Sequence, residues 1–438
     1  MSKQISPPRG MRDITPADKR KRDYVLNTIL DTYRAHGFTA IETPAVEQLK
    51  RLRSNQGGEN ESMLFEILRR GLDPKTPLSP QEACDLGLRY DLTLPLTRFY
   101  ATNQAQLPPV FRALQTGPVW RAERPQKGRY RQFTQCDIDI IGDATPVAEV
   151  DLLLSTIAAL TALGMKDSIR LLINDRRILT DMLAAVGIAP EAGTKTFIIL
   201  DKLHKIGRDA VVEELISAQL CNTDQAHALL DSLGSDDPDN DPVATGSFTV
   251  GTTELDLYDI PAIVNAVRAV NADIEIVFDP TMVRGMGYYT GTIFEIEHRD
   301  FASSVAGGGR YDGVIGKWLG RDVPACGFSI GFERIIDLLP DDFAPVTGMR
   351  IAVAYPKDAD IADVMRQRAA LQSGVFPDAD APDSPAPGSA DAIEVVALVP
   401  QPRKVKATFL QGLVEQGFTH IVRQDFDGNW QPPRPLKD

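Results

Sequence analysis

Cysteine and histidine are scarce in this chain. Its 438 residues include four cysteines, Cys84, Cys136, Cys221 and Cys326, and no two of them form a CxxC pair. That spacing excludes zinc knuckles and a disulfide framework, and it suits a reducing compartment. The five histidines show neither HExxH nor HxH spacing, so a histidine-based metal centre is not expected. No apolar run approaches the roughly 18 residues of a membrane-spanning helix. The N-terminal MSKQISPPRGMRD has no apolar core of the kind a secretory leader carries, which makes the cytoplasm the expected location. Internal repeats and coiled-coil heptads are missing too. Nor is there a surplus of basic charge: 47 Lys and Arg stand against 60 Asp and Glu, a net charge of −13. On its face that argues against a nucleic-acid partner, yet whole-chain charge is a poor guide to a local field. Basic clusters at 19–22, 50–53 and 121–131 could still hold phosphates on an acidic body.

What is present has the make-up of a globular enzyme. The length accommodates two or three domains with sizeable cores, and 43% hydrophobic with 24% charged residues is ordinary. Apolar spacing at Tyr24, Leu26, Ile29, Leu30 and Tyr33 predicts a helix over 16–36, ended by Gly37. FTAIETPAVE reads as a strand interrupted at Pro44, and residues 60–142 as strands and loops with a short helix through 96–100. Residues 145–164 form a core helix pattern. From about 175 to 268 the segments DRRILTDMLAAVG, DAVVEELISAQL, DQAHALLDSL and IPAIVNAVRAV predict a helical insertion between two halves of a sheet domain. Strands return at ADIEIVFDP, GYYTGTIFEIEH and ACGFSIGFE, and RIAVAYP opens another β/α unit that continues in a helix at 359–373. Residues 374–391 are Pro, Asp, Ala and Ser with almost no large apolar side chain, a linker-like insert.

Three segments carry chemistry. In WRAERPQKGRYRQFTQCDID (120–139), Arg121, Arg124, Lys127, Arg129 and Arg131 fall within eleven positions, with Glu123 the only acid among them. Strand patterns flank this run, so it is expected to be a hairpin loop able to hold a polyphosphate, or else a plain solvated loop. Arg121 and Glu123, two residues apart, would share a strand face and could grip a phosphate and an amino-purine edge together. In the second segment, 282–313, Arg284 lies in a Gly-flanked turn, and Tyr288 and Tyr289 would point to opposite faces of a strand. AGGGRYDG there fits either a tight turn or close backbone approach to a ligand. In the third, ACGFSIGFERIID (325–337), a strand passes through Gly331 into a helix whose first turn holds Glu333 and Arg334.

Taken in order, these blocks resemble the class II aminoacyl-tRNA synthetases, and within them the histidyl-tRNA synthetase family, over roughly residues 5–340. ETPAVE resembles the family's first motif, with Pro44 near a dimer contact, and RAERPQKGRYRQFTQCDIDIIG its second. LRYDLTLPLTR resembles its amino-acid loop, RGMGYYTG and GGGRYDG its histidine signatures, and GFSIGFERI its third motif. The resemblance implies an α+β fold, with an antiparallel sheet flanked by helices, a helical insertion and a smaller C-terminal α/β domain. The implied boundaries are 1–174 and 269–342 for the two parts of the catalytic core, 175–268 for the insertion, and 349–438 for a truncated anticodon-binding-like domain.

Roles carry over by matching position. Asp91, Thr93 and Gln135 would hold the α-ammonium of L-histidine, since three N–H donors need three acceptors. Asp139 and Tyr289 would read the imidazole, with Tyr288 beside them. Such a pocket can reject analogues by about 10⁴, because its polar groups would otherwise stay unpaired. Arg121 and Arg284 would flank the carboxylate and the α-phosphate as the catalytic pair. Glu123 and Phe133 would hold and stack adenine, Arg334 would take the γ-phosphate, and Arg129 and Arg131 the other phosphates. ATP implies Mg²⁺, though no side chain identifies itself as a ligand for it. Arg124, Gln126 and Lys127 would meet the acceptor end of tRNA(His), and the protein would be a homodimer. Two features depart from the family pattern. RGMGYY has Gly287 where an acid is usual, and the C-terminus ends in GNWQPPRPLKD where a further strand and helix would lie. The rival reading is the synthetase-like regulatory subunit of ATP phosphoribosyltransferase, which keeps the fold and senses histidine without needing the ATP-binding cations.

Overall fold

Ten residues on each side of the basic loop pair without a slip: Phe111–Trp120 runs antiparallel to Gln132–Ile141, from Phe111 opposite Ile141 to Trp120 opposite Gln132. This hairpin supplies the second and third strands of the main sheet in the computed structural model, which describes residues 5–53, 63–72, 79–125, 129–200, 202–233, 242–283, 289–301, 303–344, 348–377, 393–425 and 427–436. Six more strands complete an eight-stranded mixed sheet. Its order is Thr39–Ala40, Phe111–Trp120, Gln132–Ile141, Ala325–Gly331, Ala306–Arg310, Thr292–His298, Ile169–Asp175, Glu275–Phe278. The central pairs are antiparallel, and the two edge pairs are parallel. The chain divides into two compact units, 1–15 with 21–340, and 16–20 with 341–438.

Helices cover the sheet where their apolar faces demand it. Val147–Ala162 is buried along Leu152, Leu153, Ile157 and Leu160 and packs on the Ala325–Gly331 strand. In Pro16–Ala35 the buried stripe is Val25, Ile29, Leu30 and Tyr33, one face of a helix. Tyr24, expected in that stripe, is instead 41% exposed, because it stands a full residue off the stripe's axis. The helix ends as expected at Gly37, whose φ of +84° lets Phe38 N donate back to Tyr33 O. FTAIETPAVE does not make one strand. Thr39–Ala40 joins the large sheet, while Val46–Gln48 joins a separate three-stranded sheet with Cys84–Leu88 and Glu66–Leu68.

The glycine run 307–309 is no turn. Ala306–Arg310 is an interior strand, and a Cβ on Gly308 would stand 2.0 Å from Gly327 O, so only glycine lets these strands approach. Between Ile169–Asp175 and Glu275–Phe278, which pair in parallel, the chain makes a long crossover. It contains the expected helices Arg176–Ala185, Arg208–Ser217, Thr223–Ser232 and Ile260–Val270, and also an unexpected hairpin, Ser247–Val250 with Thr253–Asp256.

In the second unit Met349–Tyr355 is the middle of three parallel strands, with Ile393–Pro400 on one side and His420–Arg423 on the other. Ile361–Gln372 and Ala407–Glu415 are its helices, and Ile351, Val353, Leu371 and Val422 are buried in its core. The tail contributes an antiparallel edge strand, Arg434–Pro435, and Trp430 donates from Nε1 to Asp363 Oδ2 at 2.8 Å. Of the insert predicted at 374–391, residues 378–391 lie outside the described residues, and Phe376 near its start is buried in this core. No described helix is long and apolar enough to cross a membrane.

Candidate active site

Side chains alternate along Gln132–Ile141, so Phe133, Gln135, Asp137 and Asp139 project from one face. Above that face lies a cavity of about 410 Å³, within the range of small-molecule sites. Asp91, Thr93, Arg121, Glu123, Arg129, Phe133, Gln135, Tyr289 and Arg334 all line it. A recess of about 30 Å³ shares Thr93, Asp137 and Tyr289 with the cavity and adds Asp139, Tyr311 and Gly327.

One end is cationic. Arg121 donates from Nε to Tyr90 O at 3.0 Å, and its guanidinium carbon sits 5.0 Å over the Phe133 ring. Arg334 donates to Ser304 O and lies 6.0 Å over Phe301. Burial lowers the Arg334 pKa, and the nearby charges of Arg129 and Arg121 lower it further. Three guanidiniums forced together in this way are complementary to a polyanion.

The other end is acidic and largely buried. Burial raises the Asp91 carboxyl above its ordinary value, although Leu94 N donates to it at 3.0 Å. Burial, with Asp139 adding to it, holds Asp137 well above the usual range. Asp139 is pushed up to about 7 by burial, against the pull of Tyr311, whose hydroxyl donates to Oδ1 at 2.6 Å. Asp139 Oδ2 and Gln135 Oε1 are buried with no partner among the described residues. Buried acceptors left so are unfavourable unless a ligand supplies donors. Gly327 is what leaves room here, since a Cβ on it would stand 2.1 Å from Asp139 Oδ1.

The family model for histidyl-tRNA synthetase matches residues 10–335, three-quarters of the chain and all of the segments that build this cavity. The chain belongs to the histidyl-tRNA synthetase family. It is 48% identical over 362 residues to the histidine–tRNA ligase of Leifsonia xyli, covering 79% of this chain and 83% of the relative. The histidine–tRNA ligase of Bacteroides fragilis is 36% identical over 351 residues, covering 76% of each chain. The crystal structure of histidyl-tRNA synthetase from a Nostoc species superposes with a TM-score of 0.71 at 24% identity, covering 99% of this chain and 97% of that one. A Bacillus halodurans structure titled ATP phosphoribosyltransferase regulatory subunit/histidyl-tRNA synthetase gives a TM-score of 0.70 at 18% identity, covering 97% and 99%. The class II synthetase fold is therefore this chain's fold.

Several residues expected in the site of a histidyl-tRNA synthetase take other positions. Arg121 and Glu123 lie just past the end of the strand at Trp120, so a shared strand face does not bring them together; both reach the cavity all the same. Arg131 is not among the lining residues. Its Nε donates to Glu123 O at 2.9 Å and its backbone N to Gly10 O at 2.8 Å, so it rivets the base of the basic loop. Arg124 is exposed. Gln126, Lys127, Arg284, Gly287 and Tyr288 lie outside the described residues. The cations at 19–22 and 50–53 are engaged in part: Arg53 pairs with Glu66, and Lys21 Nζ donates to Leu339 O at 2.5 Å.

Sequence reasoning passed over Asp137, Ser329 and Tyr311, and gave Glu333 no role. Period-2 alternation from Gln135 to Asp139 could have found Asp137. Glu333 lines the cavity as the anchor of a clamp: Arg22 grips both its oxygens at 2.6 and 2.7 Å, Thr134 N donates at 3.2 Å, and Arg12 joins them. Burial opposes its charge, but the two arginines outweigh burial and its pKa is lowered. Arg12 also lies 4.1 Å over the Tyr130 ring and donates to its hydroxyl at 3.1 Å.

Proposed function

We propose that the chain is an active histidine–tRNA ligase, joining L-histidine to ATP as histidyl-adenylate and passing the histidyl group to tRNA(His). The observation that carries this reading is the polarity of one cavity, with convergent guanidiniums at one end and unpartnered buried acceptors at the other. Asp91, Thr93 and Gln135 supply acceptors for the α-ammonium, and Asp139 Oδ2 accepts from an imidazole N–H beside Tyr289. This leaves the histidine carboxylate toward Arg121, with Arg284 as its expected partner. Glu123 and Phe133 border the place for adenine, and Arg129 and Arg334 the place for the phosphates.

In the first step a histidine carboxylate oxygen bonds to the α-phosphorus of ATP while the bond to the leaving pyrophosphate breaks. In the second, the 3′-terminal hydroxyl of the tRNA attacks the histidyl carbonyl and AMP departs. The side chains contribute by positioning the reactants and by neutralising charge as it concentrates at phosphorus. Mg²⁺ would arrive with the ATP phosphates and screen their charge; the described residues assemble no cluster of three His, Cys, Asp or Glu that could hold it alone. Arg124, with Gln126 and Lys127, is the proposed contact for the acceptor end.

The fold does not separate this reading from a histidine-sensing regulatory subunit, since both kinds of title appear among its neighbours at near-equal TM-scores. The cationic end does separate them, because a sensor of histidine can use Arg121 for the carboxylate but has no use for Arg129 and Arg334 at the place for the phosphates. The deciding measurement is histidine-dependent ATP–pyrophosphate exchange by the folded protein. Histidine binding without exchange would sink the ligase and favour the sensor.

We also propose a homodimer. Val46, Leu86 and Leu68 of the three-stranded sheet beside Pro44 are 37%, 37% and 66% exposed, an apolar face suited to a second copy. Sedimentation that finds only an active 48 kDa species at micromolar concentration would exclude it.

A further inference from the structure

Ser329 lies directly opposite Asp137 across the sheet, and Gln135 is two residues from Asp137 on the same face. The Ser329 hydroxyl donates to Asp137 Oδ1 at 2.5 Å and accepts from Gln135 Nε2 at 3.1 Å. A hydroxyl has a single hydrogen to give. With that hydrogen on Asp137, Ser329 can only accept from Gln135, and an amide carbonyl has no hydrogen to offer. The amide must therefore turn its NH₂ toward Ser329. This leaves Gln135 Oε1, buried and unpartnered among the described residues, as the amide atom available to a ligand.

We propose that Ser329 and Asp137 are positioning residues for histidine: they lock the Gln135 amide so that its carbonyl, not its NH₂, meets the α-ammonium. This rests on the cavity being the histidine site. An amide rotated by half a turn would set two N–H donors against an ammonium that can only donate. The lock is thus a filter on the amino group, separate from the reading of the imidazole by Asp139. Asp137 has Asp139 on its own strand, and Asp91 and Arg121 around it, so its ionisation depends on the cations nearby. An arriving ammonium favours the ionised form, which is the form that accepts from Ser329.

The test uses the full-length wild type, Ser329→Ala, Gln135→Ala and the double variant. Calorimetry would give the affinity of each for histidine and for imidazolepropionate, which keeps the ring and carboxylate but lacks the amino group. Ser329→Ala should weaken histidine about tenfold, the scale of one misoriented charge-assisted hydrogen bond. Imidazolepropionate affinity and the KM for ATP should stay within about twofold, and in the Gln135→Ala background Ser329→Ala should add less than about twofold. Asp137→Leu, of similar shape but with no acceptor for the Ser329 hydroxyl, should show the same preference for harming histidine, and it serves if Ser329→Ala is poorly folded. Equal weakening of both ligands would mean that Ser329 only shapes the recess, and would overturn the proposal. So would full additivity with Gln135→Ala, or tighter histidine binding, which is the result expected if the chain ran in the opposite sense. A wild type that binds imidazolepropionate but not histidine would overturn it as well. One that binds neither would instead remove the histidine site on which it rests.

Discussion

The two ends of the cavity are held by different means. At the cationic end Arg121 and Arg334 are each tethered through a main-chain carbonyl, of Tyr90 and Ser304, and Arg129 is exposed on the loop. At the acidic end the tethers run between side chains: Ser329 to Asp137 across strands that also pair through their backbones, and Tyr311, just past the end of Ala306–Arg310, to Asp139. Tyr311 itself is fixed, its ring packed among Tyr100, Phe111, Ala113 and Ile315. A set of cations aimed at a flexible triphosphate needs charge more than exact angle. A set of acceptors aimed at one amino acid needs angle more than charge, and here Gln135, Asp137 and Asp139 each have a second side chain to fix them.

The largest effect should come from the cationic end. Arg334→Ala is expected to reduce histidine-dependent pyrophosphate exchange by about 10²- to 10³-fold, while histidine affinity by calorimetry stays within about threefold. A matching loss of histidine affinity would show that the two ends do not act separately.

Asp139→Asn should do the reverse, weakening histidine about 10- to 100-fold with little change in the KM for ATP. It also carries a pH signature. The folded protein raises this carboxyl to about 7, above an unfolded value near 4, so the group's contribution to stability is full below about pH 4 and is lost as pH rises through 7. Asparagine cannot ionise. The ligand-free variant should therefore melt above the wild type at pH 8, with a smaller difference at pH 5. An equal difference at both pH values would remove the burial argument for this residue.

The smallest effect is expected for Tyr311→Phe, about three- to fivefold in histidine affinity. Its hydroxyl lowers the Asp139 pKa, so removing it should move the pH at which histidine affinity is gained upward relative to the wild type. A downward shift would mean that Tyr311 does not hold the carboxylate form.

The hairpin around the basic loop was legible because its alternation is local, and so was the helix Val147–Ala162, whose apolar residues are nearly continuous. Ala306–Arg310 was not. Glycine disfavours strands on its own, and only the two flanking strands, too close for any Cβ at Gly308, turn the run into one. In the site, spacing and resemblance led to nine lining residues but assigned Arg131 to phosphate, because a sequence shows a cation without showing the carbonyl it is already bonded to. Arg22 and Glu333 were both in view as charged residues. Nothing local to either one joins them.

That clamp has a consequence for the order in which the protein is made. Arg12 and Arg22 leave the ribosome early and have to wait for a carboxylate 321 and 311 residues downstream. At about 5–20 residues per second the interval is roughly 15–60 s. During that time the N-terminal segment has its guanidiniums but lacks the acid that draws them to the cavity wall. A nascent chain halted before Glu333 can form the hairpin, yet its site stays open on one side. The substrate cavity is thus among the last parts of the catalytic unit to close, and a prematurely released chain would have no finished site in which to begin the reaction.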